Sequence, residues 1–458
     1  MLHSGALSFL STGILISAVR LLGRGSTFVA ALVASRHLST TNFGIYAYVI
    51  TFLTAINLIG GLGLEQMALV ALGRARASGS VSVLEGALSW IGGRAIFVLP
   101  IASAVFAWPI HAALGSSFAL LSVILTGICL TAILLCASVL RGVDFPLVST
   151  MVQETGRGPV FLLGALTLFY THELVWVWVF TLLSALVFSL IAAAATIFTT
   201  RASQSALRST TRLADGHNAA LSFQGQLRFL LVLIATNAYL WACPVILKQS
   251  GAVKEVGLFN VAMQYPSLIS FLSTSMEMMY VPKISTFWHA ERLQDMRPFL
   301  RTGSRLTIVA GLPIIVILVI FGTPLLEIYG KGYSQTLPAM LIIAAAQIIS
   351  VACGPCGYLV LLTGRERLNL FVMGISAVGG IICLAILARN YGHLAAALGF
   401  LVSTATSNIF FAGYCIKRMN INPTITAAWA PIEQDKQIPG PVRQALACNP
   451  ENSGVARS

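Results

Sequence analysis

The chain has 458 residues, of which 57% are hydrophobic and only 9% charged, against about 25% charged in an ordinary soluble domain. A water-soluble globular domain is thereby excluded. The net charge of +13 would point to nucleic acid in a soluble protein, but here the basic residues sit in short segments between apolar runs, a topological pattern rather than a nucleic-acid surface.

Charge-poor windows predict twelve membrane-spanning helices, at residues 9-34, 41-64, 86-110, 117-140, 147-170, 174-198, 227-247, 256-281, 303-326, 336-362, 367-388 and 394-416. Helices are required, because lipid offers backbone N–H and C=O groups no partners. The segment before Ser11 carries no Lys or Arg, and Arg20 and Arg24 interrupt the apolar stretch that follows. No cleaved signal peptide is therefore expected, and the first helix is expected to stay in the mature protein.

The loops test the count. With the N-terminus inside, the loops assigned to the cytoplasm hold sixteen Lys and Arg residues, whereas the opposite loops hold five, Arg36, Lys248, Lys254, Lys331 and Arg389. That asymmetry is the positive-inside bias, and one span more or fewer would scramble it. Residues 1-198 are expected to form one lobe of six spans and residues 227-422 a second. Between them lies a polar cytoplasmic linker at 199-226, and a disordered cytoplasmic tail is expected at 423-458.

The halves also resemble one another. Phe43-Gly44-Ile45-Tyr46 opens span 2 as Val256-Gly257-Leu258-Phe259 opens span 8. Repeats of an even number of spans share an orientation and are related by an axis along the membrane normal, with a substrate path between them.

Within the spans, charge is the informative signal. Arg20 and Arg24 lie one turn apart on span 1, roughly 17 to 23 Å along a helix that begins near Phe9, hence near mid-membrane. An arginine there costs roughly 2.5 to 3.5 kcal/mol. The pair either faces a water-filled cavity, where guanidinium forks match a diphosphate, or, if span 1 begins later, reaches cytoplasmic headgroups.

On span 5, Glu154 and Arg157 are spaced to pair along one face. Arg94 and Arg157 are further cation candidates, as is Lys248, which is equally suited to anchoring at the interface; Asn237 is a polar neighbour. Glu65, Glu154 and Glu277 are the candidates for coupling or gating, and solvated ends of spans explain Glu65 and Glu277 equally well. Pro100, Pro159, Pro244, Pro266, Pro313 and Pro355 are expected to kink their spans. Cys353-Gly354-Pro355-Cys356 has redox-motif spacing but lies mid-span with no βαβ pattern, so it reads with the other intramembrane cysteines as core packing. No metal cluster, nucleotide loop or nucleophile constellation is found, and no cofactor or catalytic residue is expected.

Four stretches stand in order along residues 9-422: 38-46 (LSTTNFGIY) followed by Gly61-Leu62-Gly63-Leu64-Glu65; 255-262 (EVGLFNVA) before span 8; Gln347 leading through Gly354 to Leu362-Thr363-Gly364-Arg365; and Leu394-Ala395-Ala396-Ala397 with Asn408. In these the chain resembles the multidrug/oligosaccharidyl-lipid/polysaccharide flippase superfamily, in particular its polysaccharide-export branch.

The resemblance implies two six-helix lobes around a cavity open to each side in turn. The expected cargo is an oligosaccharide on a polyprenyl diphosphate, moved between leaflets of a bacterial inner membrane with no covalent step, for lipopolysaccharide or exopolysaccharide synthesis. Implied partners are membrane lipid, the lipid-linked substrate, a polysaccharide polymerase and chain-length proteins. The superfamily's cationic cavity maps onto Arg20 and Arg24 by position. A cation-coupled drug exporter of the superfamily would want an acidic cavity, whereas the intramembrane charges here are mainly Arg. A murein-precursor flippase would have fourteen spans, and a membrane polymerase would carry a long periplasmic loop.

Overall fold

The structure is a computed structural model. It describes residues 2–61, 107–171, 173–208, 223–251, 253–273, 293–363, 365–419 and 421–424, with isolated positions between 64 and 93. Among the described residues all regular secondary structure is helical. Seven of their helices are long and apolar enough to cross a membrane. The chain is a multi-pass α-helical membrane protein.

The first half begins with α1 (Leu2–His37) and α2 (Thr40–Ile59). The hydroxyl of Ser39 accepts from the amide of Asn42 and caps α2. A short helix α3 (Ala107–Leu114) precedes α4 (Ser117–Gly142), which Ser116 caps in the same way. Predicted span 5 is two helices, α5 (Pro146–Thr155) and α6 (Gly158–Leu166), and span 6 is α7 (Leu174–Arg208).

The break between α5 and α6 follows from Gly156 and Pro159, because proline has no N–H to continue the ladder. Glycine also lets the turn sit deep. A Cβ on Gly158 would land on the Gly23 carbonyl, so α1 and α6 approach backbone to backbone.

The second half contains α8 (Phe223–Gln249), α9 (Val253–Gln264), α10 (Leu293–Glu327), α11 (Leu337–Cys353), α12 (Cys356–Leu362) and α13 (Glu366–Arg418). After Tyr265 and Pro266 the chain turns helical again at Ser267. Span 10 is broken between α11 and α12 at Gly354, whose φ of 71° is in the left-handed region that favours glycine. Cys353, Cys356 and Cys415 are buried around that break as free thiols in an apolar cluster.

At 53 residues α13 is far longer than one crossing needs, and Gly392 (φ 48°) folds it into the hairpin of spans 11 and 12. A Cβ on Gly380 would lie 2.6 Å from the Gly399 carbonyl, which places the two arms side by side. Glu255, opening α9, holds this hairpin. Its Oε2 accepts from the His393 amide at 2.9 Å and lies 2.6 Å from His393 Nδ1.

Helices extend into the segment read as a linker. The predicted linker begins and ends in helix, since α7 continues to Arg208 and α8 starts at Phe223. Residues 209–222, span 3 apart from isolated positions, and the tail beyond Thr424 lie outside the described residues.

The halves meet through α2, which packs against α8 and α9. The two glycines that marked the sequence repeat make this junction: a Cβ on Gly257 would stand 3.1 Å from the Gly44 amide nitrogen and 3.2 Å from its Cα, while one on Gly44 would land on the Val253 carbonyl. At the same end, Ser35 Oγ donates to the Tyr329 carbonyl at 2.9 Å and Arg36 Nε to the Ile328 carbonyl at 2.7 Å. Aromatic rings fill the space behind. Phe28 meets Tyr265 and Tyr329, with centroids 5.3 and 5.6 Å apart, and Phe43 meets Tyr333 at 6.0 Å. One end of the interface between halves is thus sealed.

Candidate functional cavity

Below that seal lies a cavity of roughly 190 Å³ bounded by both halves. Arg24, Thr27, Ala30 and Ala31 of α1 line one wall with Tyr46, Ala47 and Ile50 of α2 and Phe161 of α6. Asn260, Met263, Gln264 and Ser267 of the second half line the other. Arg24, Thr27 and Ala31 recur at helical spacing, so one face of α1 is presented to the cavity. Arg24 is the charged member of the lining, and among the described residues it makes no hydrogen bond or ion pair. A cation held within the span without a counter-ion draws anions.

Beside it, the break between α5 and α6 gathers more charge. Arg20 Nε stands 3.5 Å from Glu154 Oε1, with side chains 13% and 10% exposed. With the Asn57 carboxamide turned so that its oxygen faces the guanidinium, Asn57 accepts from Arg157 Nε and Nη2 at 3.2 and 3.3 Å and donates to the Leu130 carbonyl at 3.1 Å. Arg157 lies within electrostatic range of Arg24, Glu154 and Arg20. Arg141, bonded through Nη2 to Gln153 Oε1 at 2.9 Å, is within range of Arg20 and Glu154. Three guanidinium groups, of Arg20, Arg141 and Arg157, therefore lie in range of the Glu154 carboxylate, and Arg24 lies in range of Arg157, leaving a net positive site among the described residues at this helix break.

No protein-family profile matches the chain. A stretch of 216 residues is 23% identical to the probable flippase AglR of Haloferax volcanii, covering 46% of this chain and 45% of that protein. The match thus spans less than half of that relative's length. The fold superposes on the inward-facing form of a multidrug resistance MATE transporter of the MOP superfamily with a TM-score of 0.65, over 90% of this chain and 98% of the other at 13% identity. It superposes on the lipid II flippase MurJ in its inward closed conformation with a TM-score of 0.64, over 91% and 90% of the two chains at 12% identity.

The chain has the fold of the multidrug/oligosaccharidyl-lipid/polysaccharide flippase superfamily.

Within that superfamily fold, the residues singled out from the sequence fall into three groups. Arg24, Arg20, Glu154 and Arg157 are brought together, but not in the expected pairs. Arg20 and Arg24 meet different surroundings: Arg24 lines the cavity, while Arg20 stands 3.5 Å from Glu154. Glu154 and Arg157 do not pair along one helical face, because the helix breaks between them and each turns to another element.

Asn237 and Lys248 lie away from this cavity. Asn237 Nδ2 donates to the carbonyl of Leu233 in its own helix at 2.9 Å, and Lys248 Nζ sits 4.9 Å above the ring of Tyr48, bridging α8 and α2. Arg94, Glu65 and Glu277 lie outside the described residues.

The sequence reading missed Asn57, Tyr46, Asn260 and Gln264. A signal existed for the last two, since positions 260, 264 and 267 are polar at helical spacing in an otherwise apolar span. Asn57 had no such signal, as its partner is 100 residues away in the chain.

Proposed function

We propose that this chain is a flippase that carries a polyprenyl-diphosphate-linked oligosaccharide from the cytoplasmic to the periplasmic leaflet of a bacterial inner membrane. The observation that carries the reading is Arg24, a guanidinium with no counter-ion among the described residues, in a cavity shared by the two halves. Its planar fork matches the oxygens of a diphosphate, and Arg20, Arg141 and Arg157 strengthen the local field. The prenyl tail would stay in lipid while the polar headgroup passes between the halves.

On this reading the N-terminus is inside, and the end sealed by Arg36, Ile328 and the aromatic cluster would face the periplasm. The lobes are then 1-198 and 227-422, joined by the 199-226 segment and followed by the tail, and they rock about the Gly44–Gly257 crossing. Transport requires no covalent step and no cofactor. The translocated lipid would pass to a polysaccharide polymerase and chain-length proteins for lipopolysaccharide or exopolysaccharide synthesis. A cation-coupled drug exporter would need a carboxylate facing the cavity, whereas the lining among the described residues holds none and Glu154, in the adjoining cluster, stands 3.5 Å from Arg20.

The test is flipping in reconstituted vesicles, read as protection of a lipid-linked oligosaccharide from an added glycosidase. Arg24→Ala should cut the rate at least tenfold with the protein still inserted, and Arg24→Lys should restore part, because an ammonium keeps the charge but loses the fork. Normal flipping by Arg24→Ala would reduce Arg24 to a headgroup anchor and remove the proposal.

A further inference from the structure

We infer that the wall opposite Arg24 is a saccharide subsite, and that it takes an uncharged sugar ring, the one attached directly to the diphosphate. The inference rests on the flippase reading and names the part of the substrate that the second half recognises.

Three observations carry it. The wall formed by Asn260, Gln264 and Ser267 is polar but bears no charge. Gln264 Nε2 donates to Asn260 Oδ1 at 3.1 Å, which holds the two amides against each other, while Ser267 Oγ donates to the backbone carbonyl of Gln264 at 2.6 Å. What remains is the Asn260 amide group as donor and the Gln264 oxygen as acceptor, neither with a further partner among the described residues. Turning both amides over would still leave one donor and one acceptor. A sugar ring, whose vicinal hydroxyls each donate and accept, answers that pattern; a phosphate, which at neutral pH chiefly accepts, does not.

The second observation is independent. Tyr46, on the first-half wall of the same cavity, is 2% exposed and its hydroxyl has no hydrogen-bond partner among the described residues. Buried hydroxyls are normally satisfied, so an unpartnered one on a residue of the cavity wall is a group that a ligand's hydroxyl would satisfy once the ring shifts toward it. The third is size. A volume of roughly 190 Å³ is below the range of about 300 to 1,000 Å³ that engulfs a drug-sized ligand, so the enclosed part fits a ring beside the diphosphate rather than a whole oligosaccharide. Phe161, also in the lining, adds an apolar aromatic group to the wall.

The experiment uses the full chain in lipid nanodiscs and three probes: a polyprenyl diphosphate with no sugar, the same lipid carrying one N-acetylhexosamine, and the same lipid carrying one hexuronic acid. The unaltered chain should bind the N-acetylhexosamine lipid more tightly than the sugar-free lipid, and more tightly than the uronic acid lipid. Asn260→Leu/Gln264→Leu should erase the first preference, weakening the sugar-bearing lipid about 10- to 100-fold while leaving the sugar-free lipid unchanged. Tyr46→Phe, a smaller change, should weaken only the sugar-bearing lipid.

Binding of the sugar-free lipid also reports that each variant is folded. Equal affinity of the unaltered chain for sugar-bearing and sugar-free lipid would overturn the inference without any variant, and equal affinity for the uronic acid lipid would remove the uncharged ring. No binding of any of the three would overturn the flippase reading beneath it, a result distinguishable from the other two.

Discussion

The crossing of α2 over α9 makes a prediction that can be worked from the geometry. Gly44 faces the Val253 backbone so closely that a methyl group there would occupy the carbonyl's position. A carbonyl in a helical turn cannot rotate aside as a side chain does, so Gly44→Ala must push the halves apart at the sealed end. Overpacking of a close contact costs about 1 to 3 kcal/mol. If the cost falls on the closed state alone, the population open to the periplasm rises about 5- to 150-fold, at 1.4 kcal/mol per factor of ten.

Ser35, buried and bonded to the Tyr329 carbonyl across the seal, is the reporter. In a background without the native thiols, Ser35→Cys should react with a membrane-impermeant maleimide from outside by that factor faster when Gly44→Ala is present. Gly413→Ala is the control, since nothing lies within 4 Å of the added methyl. Equal labelling rates with and without Gly44→Ala would refute the crossing as the pivot of the seal.

Glu154→Gln should lower thermal stability by on the order of 2 kcal/mol, less than the 3 to 5 kcal/mol of deleting a buried ionic partner because the amide still accepts from Arg20; Arg20→Gln added to it should recover most of the loss in a fluorescence melt. An unchanged melting midpoint for Glu154→Gln would show the pair to be energetically idle. A short bifunctional thiol reagent joining Arg36→Cys to Ile328→Cys should stop flipping and release it on cleavage of the linker, whereas undiminished flipping with the link complete would favour a fixed groove over rocking halves. Single cysteines at Ser205 and Ser334 should separate the two faces of the membrane, only the latter reacting with an impermeant reagent in sealed cells; reaction of both would undo the twelve-span topology.

The sequence alone carried the helical, multi-pass character of the chain, and for a simple reason: in lipid every backbone group must be satisfied within its own segment, so length and apolarity suffice to place a span. Where the helices sit was legible on the same ground. Predicted spans 4 and 6, at 117-140 and 174-198, fall within α4 and α7. The pairing of Gly44 with Gly257 was half legible. Their repeat stood in the sequence, but that the two glycines touch is a fact of how the halves dock.

The cavity was decided by tertiary structure. Arg20 and Arg24 carry the same charge on the same helix four residues apart, and spacing gave no means of telling which would face a carboxylate and which a void. The break at Gly156 and Pro159 settled that, by turning Glu154 toward Arg20 and Arg157 toward Asn57. Such partners come from helices distant in the chain, and a buried charge takes whichever partner packing delivers. Composition fixes how many charges must be accommodated within the membrane, whereas only the packing of α1, α5, α6 and α9 determines that Arg24 is the one left facing the cavity.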